Sequence, residues 1–231
     1  MDLVAEDCNE LRQKTINPPF KIELGRLVRY YCNMSNAKSL QKTSIADYLK
    51  GELDAKRRHE FVDGVVYAMV GARNRHNMIA TNATISMGGQ LRESPCMAFN
   101  SDTKIRIQQS GGTRFYYPDA MVDCDSNPDT DTFQDKPVVV VEVISESTRR
   151  TDEKEKRDGY LSINSLQVYL RVEQGTPCVK VDRRNDECFD SQLYEELSAV
   201  IPLPEIGMEL PLSELYRGVT FPGPPETVDE E

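Results

Sequence analysis

The run Val138-Val139-Val140-Val141-Glu142-Val143-Ile144 restricts the fold of this chain more than any other segment. Branched apolar residues that do not alternate with polar ones read as a strand buried on both faces, so the run has to lie inside a sheet covered on each side. Glu142 interrupts it with a full negative charge. A carboxylate in that setting must be paired, bound to a metal, or near a strand end at an opening. Glu142 lies near the C-terminal end of the run, before a turn at Ser145–Thr148, which is where open α/β sheets place their ligands. Asp119 sits comparably, after Pro118 on the preceding long strand, Arg114–Val122. If the two strands pair, two carboxylates converge, and two hard oxygen ligands with waters and a backbone carbonyl suit Mg²⁺.

The surrounding sequence alternates helices and strands. Ser44-Ile45-Ala46-Asp47 is a capping-box-like helix start, with Ile45, Tyr48 and Leu49 at helical spacing. Arg58–Val62 and Val65–Met69 flank Asp63-Gly64, a strong hairpin signal. Ile79, Ala83 and Met87 form one stripe of a helix from about Asn74 to Leu91. Short strands are expected at Cys96–Phe99 and Thr103–Ile107, then at Leu166–Val172 and Cys178–Arg183, the last two joined near Gly175. A charged helix over Thr151–Ser162 follows the valine strand. On it Asp152, Lys156 and Tyr160 recur at i, i+4 and i+8 and so share one face. Turned back to the strand ends, that face brings Lys156 towards the carboxylates. Glu60, just before Asp63-Gly64, is a candidate third acid.

Residues 1–42 are polar and weakly patterned, with Asn17-Pro18-Pro19 as a breaker. They read as an extension carrying short helices at Glu6–Lys14 and near Leu24–Tyr31. Residues 43–217 form the main domain, and 218–231 read as a disordered acidic tail.

Charge and cysteines narrow the function classes. With 28 basic and 38 acidic residues among 231, the net charge is −10. That argues against non-specific coating of nucleic acid, which rests on neutralising phosphates. It does not exclude an enzyme that meets one phosphodiester at a metal-loaded site. Lys104 and Arg106 share a strand face, which reads as solvated, with phosphate contact as the alternative. His76 reads as a cap or core-edge histidine. The six cysteines form no CxxC pair, and with two histidines in the chain structural zinc is disfavoured. No secretory signal and no run near membrane-spanning length is visible, so a cytoplasmic protein with reduced, packing thiols is expected.

The ordered set His59-Glu60-Phe61-Val62-Asp63-Gly64, His76-Asn77, Ser101-Asp102, Tyr117-Pro118-Asp119, Glu142-Val143-Ile144-Ser145 and Asp152–Lys156–Tyr160 resembles the Uma-two family within the PD-(D/E)XK nuclease superfamily. Leu203-Pro204, Leu210-Pro211-Leu212 and Leu215-Tyr216 resemble that family's ending. The likeness spans about residues 43–217. It implies an α/β, restriction-endonuclease-like core: a mixed central sheet flanked by helices. It further implies Mg²⁺-dependent hydrolysis of DNA phosphodiesters, with Mn²⁺ as a substitute and a homodimer as the assembly. Asp119, Glu142 and the Val143 carbonyl would hold the metal, while Glu60 and Lys156 would act with them. Asp102, Asp152 and Tyr160 would support that set from behind. The superfamily's usual lysine lies two residues after the acid, where this chain has Ile144. In the narrower family it has moved to the next helix, where Lys156 matches, with Lys154 as a neighbour. Two rivals stand beside this reading: a non-cutting module of the same fold that binds nucleic acid or a protein, and a hydrolase of small nucleotide phosphodiesters.

Overall fold

A computed structural model describes residues 42–144, 151–186 and 188–221, and all of them fall in one packing unit that begins at Lys42. The expectations for Glu6–Lys14, Leu24–Tyr31, the Ser145–Thr148 turn and the acidic stretch from Pro222 onward lie outside the described residues.

The valine run is β8 (Pro137–Ile144), the inner strand on which the fold is built. It pairs antiparallel with β6 (Ala120–Asp123) on one side and parallel with β9 (Val168–Glu173) on the other. β3 (Met97–Asn100), β10 (Cys178–Arg184) and β11 (Phe189–Glu195) complete a six-stranded mixed sheet ordered β11-β10-β9-β8-β6-β3. The odd-numbered valines 139, 141 and 143 face a core with Ile79, Ala83 and Met87 of α2 (Asn74–Gln90). Val140, on the other face, packs with Met121, Tyr169 and Tyr160. The double burial expected of the run is thus provided by two different layers.

A second sheet of five strands forms the other layer, in the order β2-β1-β5-β4-β7. Its members are β1 (His59–Val62), β2 (Val65–Ala68), β4 (Lys104–Gln109), β5 (Gly112–Tyr116) and β7 (Phe133–Gln134). The β1–β2 turn is Asp63-Gly64, with φ of 51° and 100°. Both positions need the left-handed region, which Asp tolerates and Gly adopts freely. α1 (Ile45–Leu53), capped by the Ser44 hydroxyl, adds Tyr48 to a small aromatic core with Phe61, Phe115 and Phe133. A hairpin of β12 (Val200–Leu203) and β13 (Met208–Pro211) and the short α4 (Leu212–Leu215) close the α2 side.

Four expectations change. The single long strand over Arg114–Val122 is two strands: β5 ends at Tyr116 in the five-stranded sheet, and β6 starts at Ala120 in the six-stranded one. Tyr117, Pro118 and Asp119 cross between them, because proline has no N–H for a ladder. The helix after β8 opens as a π-helical turn over Thr151–Lys156 and becomes α-helical, as α3, only over Arg157–Leu161. The solvated face expected for Lys104 is absent, since Lys104 is 4% exposed. The thiols are not all reduced: Cys96 and Cys124 form a disulfide. β3 pairs with β6 so that Met97 stands opposite Asp123, and one step further the two cysteines meet with Cα atoms 3.9 Å apart. Cys178 and Cys188 are free thiols.

Candidate active site

The site forms where the two sheets diverge at the Tyr117–Asp119 crossing. The Asp119 amide donates to the Val141 carbonyl at 3.1 Å, and the Asp119 carboxylate turns back to accept the Val143 N–H at 2.7 Å. The aspartate is thereby fixed beside the Glu142–Val143 peptide. An extended residue sends its N–H and C=O to the same side of the strand, so Val143 turns its carbonyl towards Asp119 as well. His76, from the first turn of α2, places Nε2 3.2 Å from the same carboxylate oxygen.

Glu142 points to the inter-sheet face and is 4% exposed. Its Oε1 accepts the Tyr160 hydroxyl at 2.9 Å, and the Lys156 ammonium stands 3.8 Å from that same oxygen. Lys156 lies nearer to Glu60 of β1, at 2.8 Å from Oε1, with the Tyr116 ring 5.6 Å away. One ammonium, itself only 7% exposed, is therefore shared by carboxylates from two different sheets. Full burial pushes the Tyr160 hydroxyl well above the ordinary tyrosine range, and the Glu142 charge adds to the shift. It stays protonated as a donor at neutral pH.

Lys156 and Tyr160 reach Glu142 from the last position of the π-turn and from α3. The four-residue spacing puts both side chains on the strand, and π-turns inside helices recur at functional positions. Glu60, Glu142, Lys156 and Tyr160 are thus joined by direct contacts, with Asp119 tied to the backbone at residue 143. Asp102 is not part of that set. It pairs with Arg58 on the rim of a separate cleft and is largely exposed. The side chain of Asp152 lies outside the described residues, and Lys154 is exposed.

Two features escaped sequence reasoning. His76 reads as a helix-start histidine, and only the packing of α2 on β6 and β8 carries it to Asp119. A second buried polar cluster lies behind β1. There Glu52 accepts the Tyr117 hydroxyl at 2.8 Å and stands 2.7 Å from His59 Nδ1, while the Tyr48 hydroxyl donates to the His59 carbonyl. Burial, followed by the contact with Glu52, raises the Tyr117 hydroxyl above its ordinary range.

Comparison with known proteins identifies the family. Residues 45–213 match the model of the Uma2 family, whose description is "Putative restriction endonuclease". The chain belongs to the Uma2 family. Two uncharacterized proteins of a Synechocystis strain are similar to it. One is 32% identical over 181 residues, covering 78% of this chain and 94% of its own length. The other is 30% identical over 132 residues, covering 56% and 73%. Among solved structures, a crystal structure titled as a putative nuclease belonging to DUF820, from Anabaena variabilis, superposes with a TM-score of 0.57 at 14% identity. The match covers 70% of this chain and 91% of that one. The Uma2 chain described here has the restriction-endonuclease-like α/β fold that its motifs imply, its mixed six-stranded sheet covered by a second sheet as well as by helices. Among the described residues of this Uma2 member, no helix is long and apolar enough to cross a membrane.

Proposed function

We propose that this Uma2 member is a Mg²⁺-dependent endonuclease that hydrolyses DNA phosphodiesters, with Mn²⁺ as a working substitute. The observation that carries the reading is the meeting of Lys156 with Glu60 and Glu142 beside the strand-anchored carboxylate of Asp119. Family membership supports the phosphodiester class.

Asp119, Glu142 and the Val143 carbonyl are the residues that would hold the ion. No group of three or more His, Cys, Asp or Glu side chains among the described residues is arranged to hold a metal. Two carboxylates and one carbonyl nevertheless fit Mg²⁺, which keeps several of its waters and is held by one or two acids. When bound, such an ion supplies an acidified water and positive charge against the phosphate.

The protein's own groups account for the rest. Lys156 directs a fixed positive charge at the oxygens on which negative charge grows during displacement, and in a water-poor setting that interaction is strong. Glu60 holds the lysine in place from the opposite sheet. Tyr160 donates to Glu142 Oε1 and fixes the orientation of that carboxylate. His76 does the same for Asp119 from the other side. Asp102 acts through Arg58 at the cleft rim. A cytoplasmic homodimer presenting two such sites to opposite strands completes the proposal.

The test is a calorimetric titration with Mg²⁺ and Mn²⁺ alongside plasmid nicking, on wild type and the Asp119→Ala/Glu142→Ala variant. Loss of both signals in a folded variant is the expected result. A variant that binds and nicks like wild type overturns the assignment. Metal binding without nicking of any nucleic acid points to a module of this fold that does not cut.

A further inference from the structure

Lys104 is a buried lysine that forms no ion pair among the described residues. It lies on β4 and is 4% exposed. Its ammonium stands 5.2 Å from the centre of the Tyr117 ring. Glu52 is the acid whose charge acts on it, and Glu52 is already engaged by His59 and Tyr117. Burial pulls Lys104 below the ordinary lysine range, and the Glu52 charge offsets part of that. The lysine stem is buried and its charge faces the wall of a cleft with no ion-pair partner among the described residues, an arrangement that an anion entering the cleft completes.

The space for that anion is present. A cleft of about 830 Å³ opens beside Lys104, lined also by Arg57, Arg58, Asn127, Gln134 and Tyr117. Arg58 reaches into it from Ser101 and Asp102, its guanidinium carbon 5.8 Å from the Tyr117 ring centre. The cleft also has acids. Glu52 is engaged by Tyr117 and His59, Asp102 is paired with Arg58, Asp131 accepts from Asn127, and Asp129 is exposed. Tyr117 precedes Asp119 by two residues, so the cleft wall and the proposed metal ligand are at most about 7 Å apart along the backbone. Each nucleotide of a strand carries a phosphate, so a strand that presents one phosphodiester to Asp119 carries others along its length for the cleft.

We propose that Lys104 and its cleft form a phosphate subsite that holds the nucleic-acid backbone flanking the phosphodiester presented to Asp119 and Glu142. The proposal rests on the nuclease reading for its ligand class, but it makes a separate prediction about binding. A phosphate contact carries no sequence information and contributes to salt dependence.

The experiment measures fluorescence anisotropy of labelled single-stranded and duplex oligonucleotides in EDTA at several salt concentrations, using the full chain. Lys104→Gln is expected to weaken binding about tenfold, equally across sequences, and to lower the slope of log affinity against log salt by about one. Lys104→Arg is expected to keep the slope. As a folding control, Lys104→Met in the ligand-free protein is expected to unfold at the wild-type temperature or above, because it removes an uncompensated charge. An unchanged slope in folded Lys104→Gln overturns the subsite, as does a wild type that binds no oligonucleotide or a Lys104→Met that unfolds well below wild type. Slope loss in Lys104→Gln, with a wild type that binds but never cleaves, keeps the subsite and removes the nuclease reading. Cleavage with an unchanged slope does the reverse.

Discussion

Asp182 on β10 and Glu142 on β8 are both buried acids on one face of the six-stranded sheet, linked through the register Glu142–Arg171 and Asp182–Tyr169. Their surroundings differ in kind. Asp182 Oδ2 accepts from Arg157 Nε at 3.0 Å and from Arg171 Nη2 at 2.8 Å, while Oδ1 takes the Ser191 hydroxyl. Burial alone would raise that carboxyl, but these donors and the arginine charges hold it below the usual carboxylate range. Glu142 instead shares its lysine with Glu60 and has Asp119 beside its own peptide. An acid with two committed guanidinium partners acts as part of the scaffold. An acid whose cation is divided with another acid stands where charge can be exchanged with a ligand.

This contrast is open to direct attack. The largest effect is expected on cleavage: Glu142→Gln should reduce plasmid nicking to background, and Lys156→Met should lower it by about 10²–10³-fold. In urea unfolding, Glu142→Gln should cost only about 1 kcal/mol, because the amide oxygen still accepts from Tyr160. Asp182→Asn should behave in the opposite way. It weakens the hold on Arg171 of β9 and Arg157 of α3 and should cost about 3–5 kcal/mol, with folded protein retaining its metal binding. Equal stability losses in the two variants would erase the distinction.

Next in size is His76→Ala. A residue that orients a metal-ligating carboxylate should change metal affinity about 10–100-fold. Calorimetry checks this against circular dichroism of the same sample.

The acid limb of stability tests the scaffold role of Asp182. With its folded carboxyl depressed, Asp182 contributes stability that is fully present above the unfolded aspartate value of about 3.9. That contribution is lost as pH falls through the lower folded value. Asp182→Asn should therefore flatten the stability curve below about pH 4. The smallest effect is expected from Tyr160→Phe. It should cost about 1 kcal/mol, and the activity profile of wild type should show no tyrosine titration in the neutral range.

Much of the frame is legible in the linear sequence because it depends on local periodicity. The valine run announces a doubly covered strand, Asp63-Gly64 a tight hairpin, and the Ile79–Met87 stripe a packed helix. The spacing of Lys156 and Tyr160 already puts them on one side of their turn. The division of Arg114–Val122 between two sheets is less legible. Its cause, Pro118, is visible, but the choice of a different sheet for each half depends on partners distant in the chain. Lys104 shows the limit most clearly. Lys-Ile-Arg-Ile has the same alternation whether its polar face meets water or the wall of a cleft.

The sequence by itself determined the elements and the candidate acids, since backbone propensity and the cost of burying charge act on neighbouring residues. Tertiary structure alone decided which of those charges meet. It set Glu60 of one sheet against Lys156 beside the other, brought His76 to Asp119, joined Cys96 to Cys124, and put Lys104 on the wall of a cleft. The physical reason is that Coulomb and hydrogen-bond energies depend on distances of a few ångströms, and packing and register between distant segments set those distances.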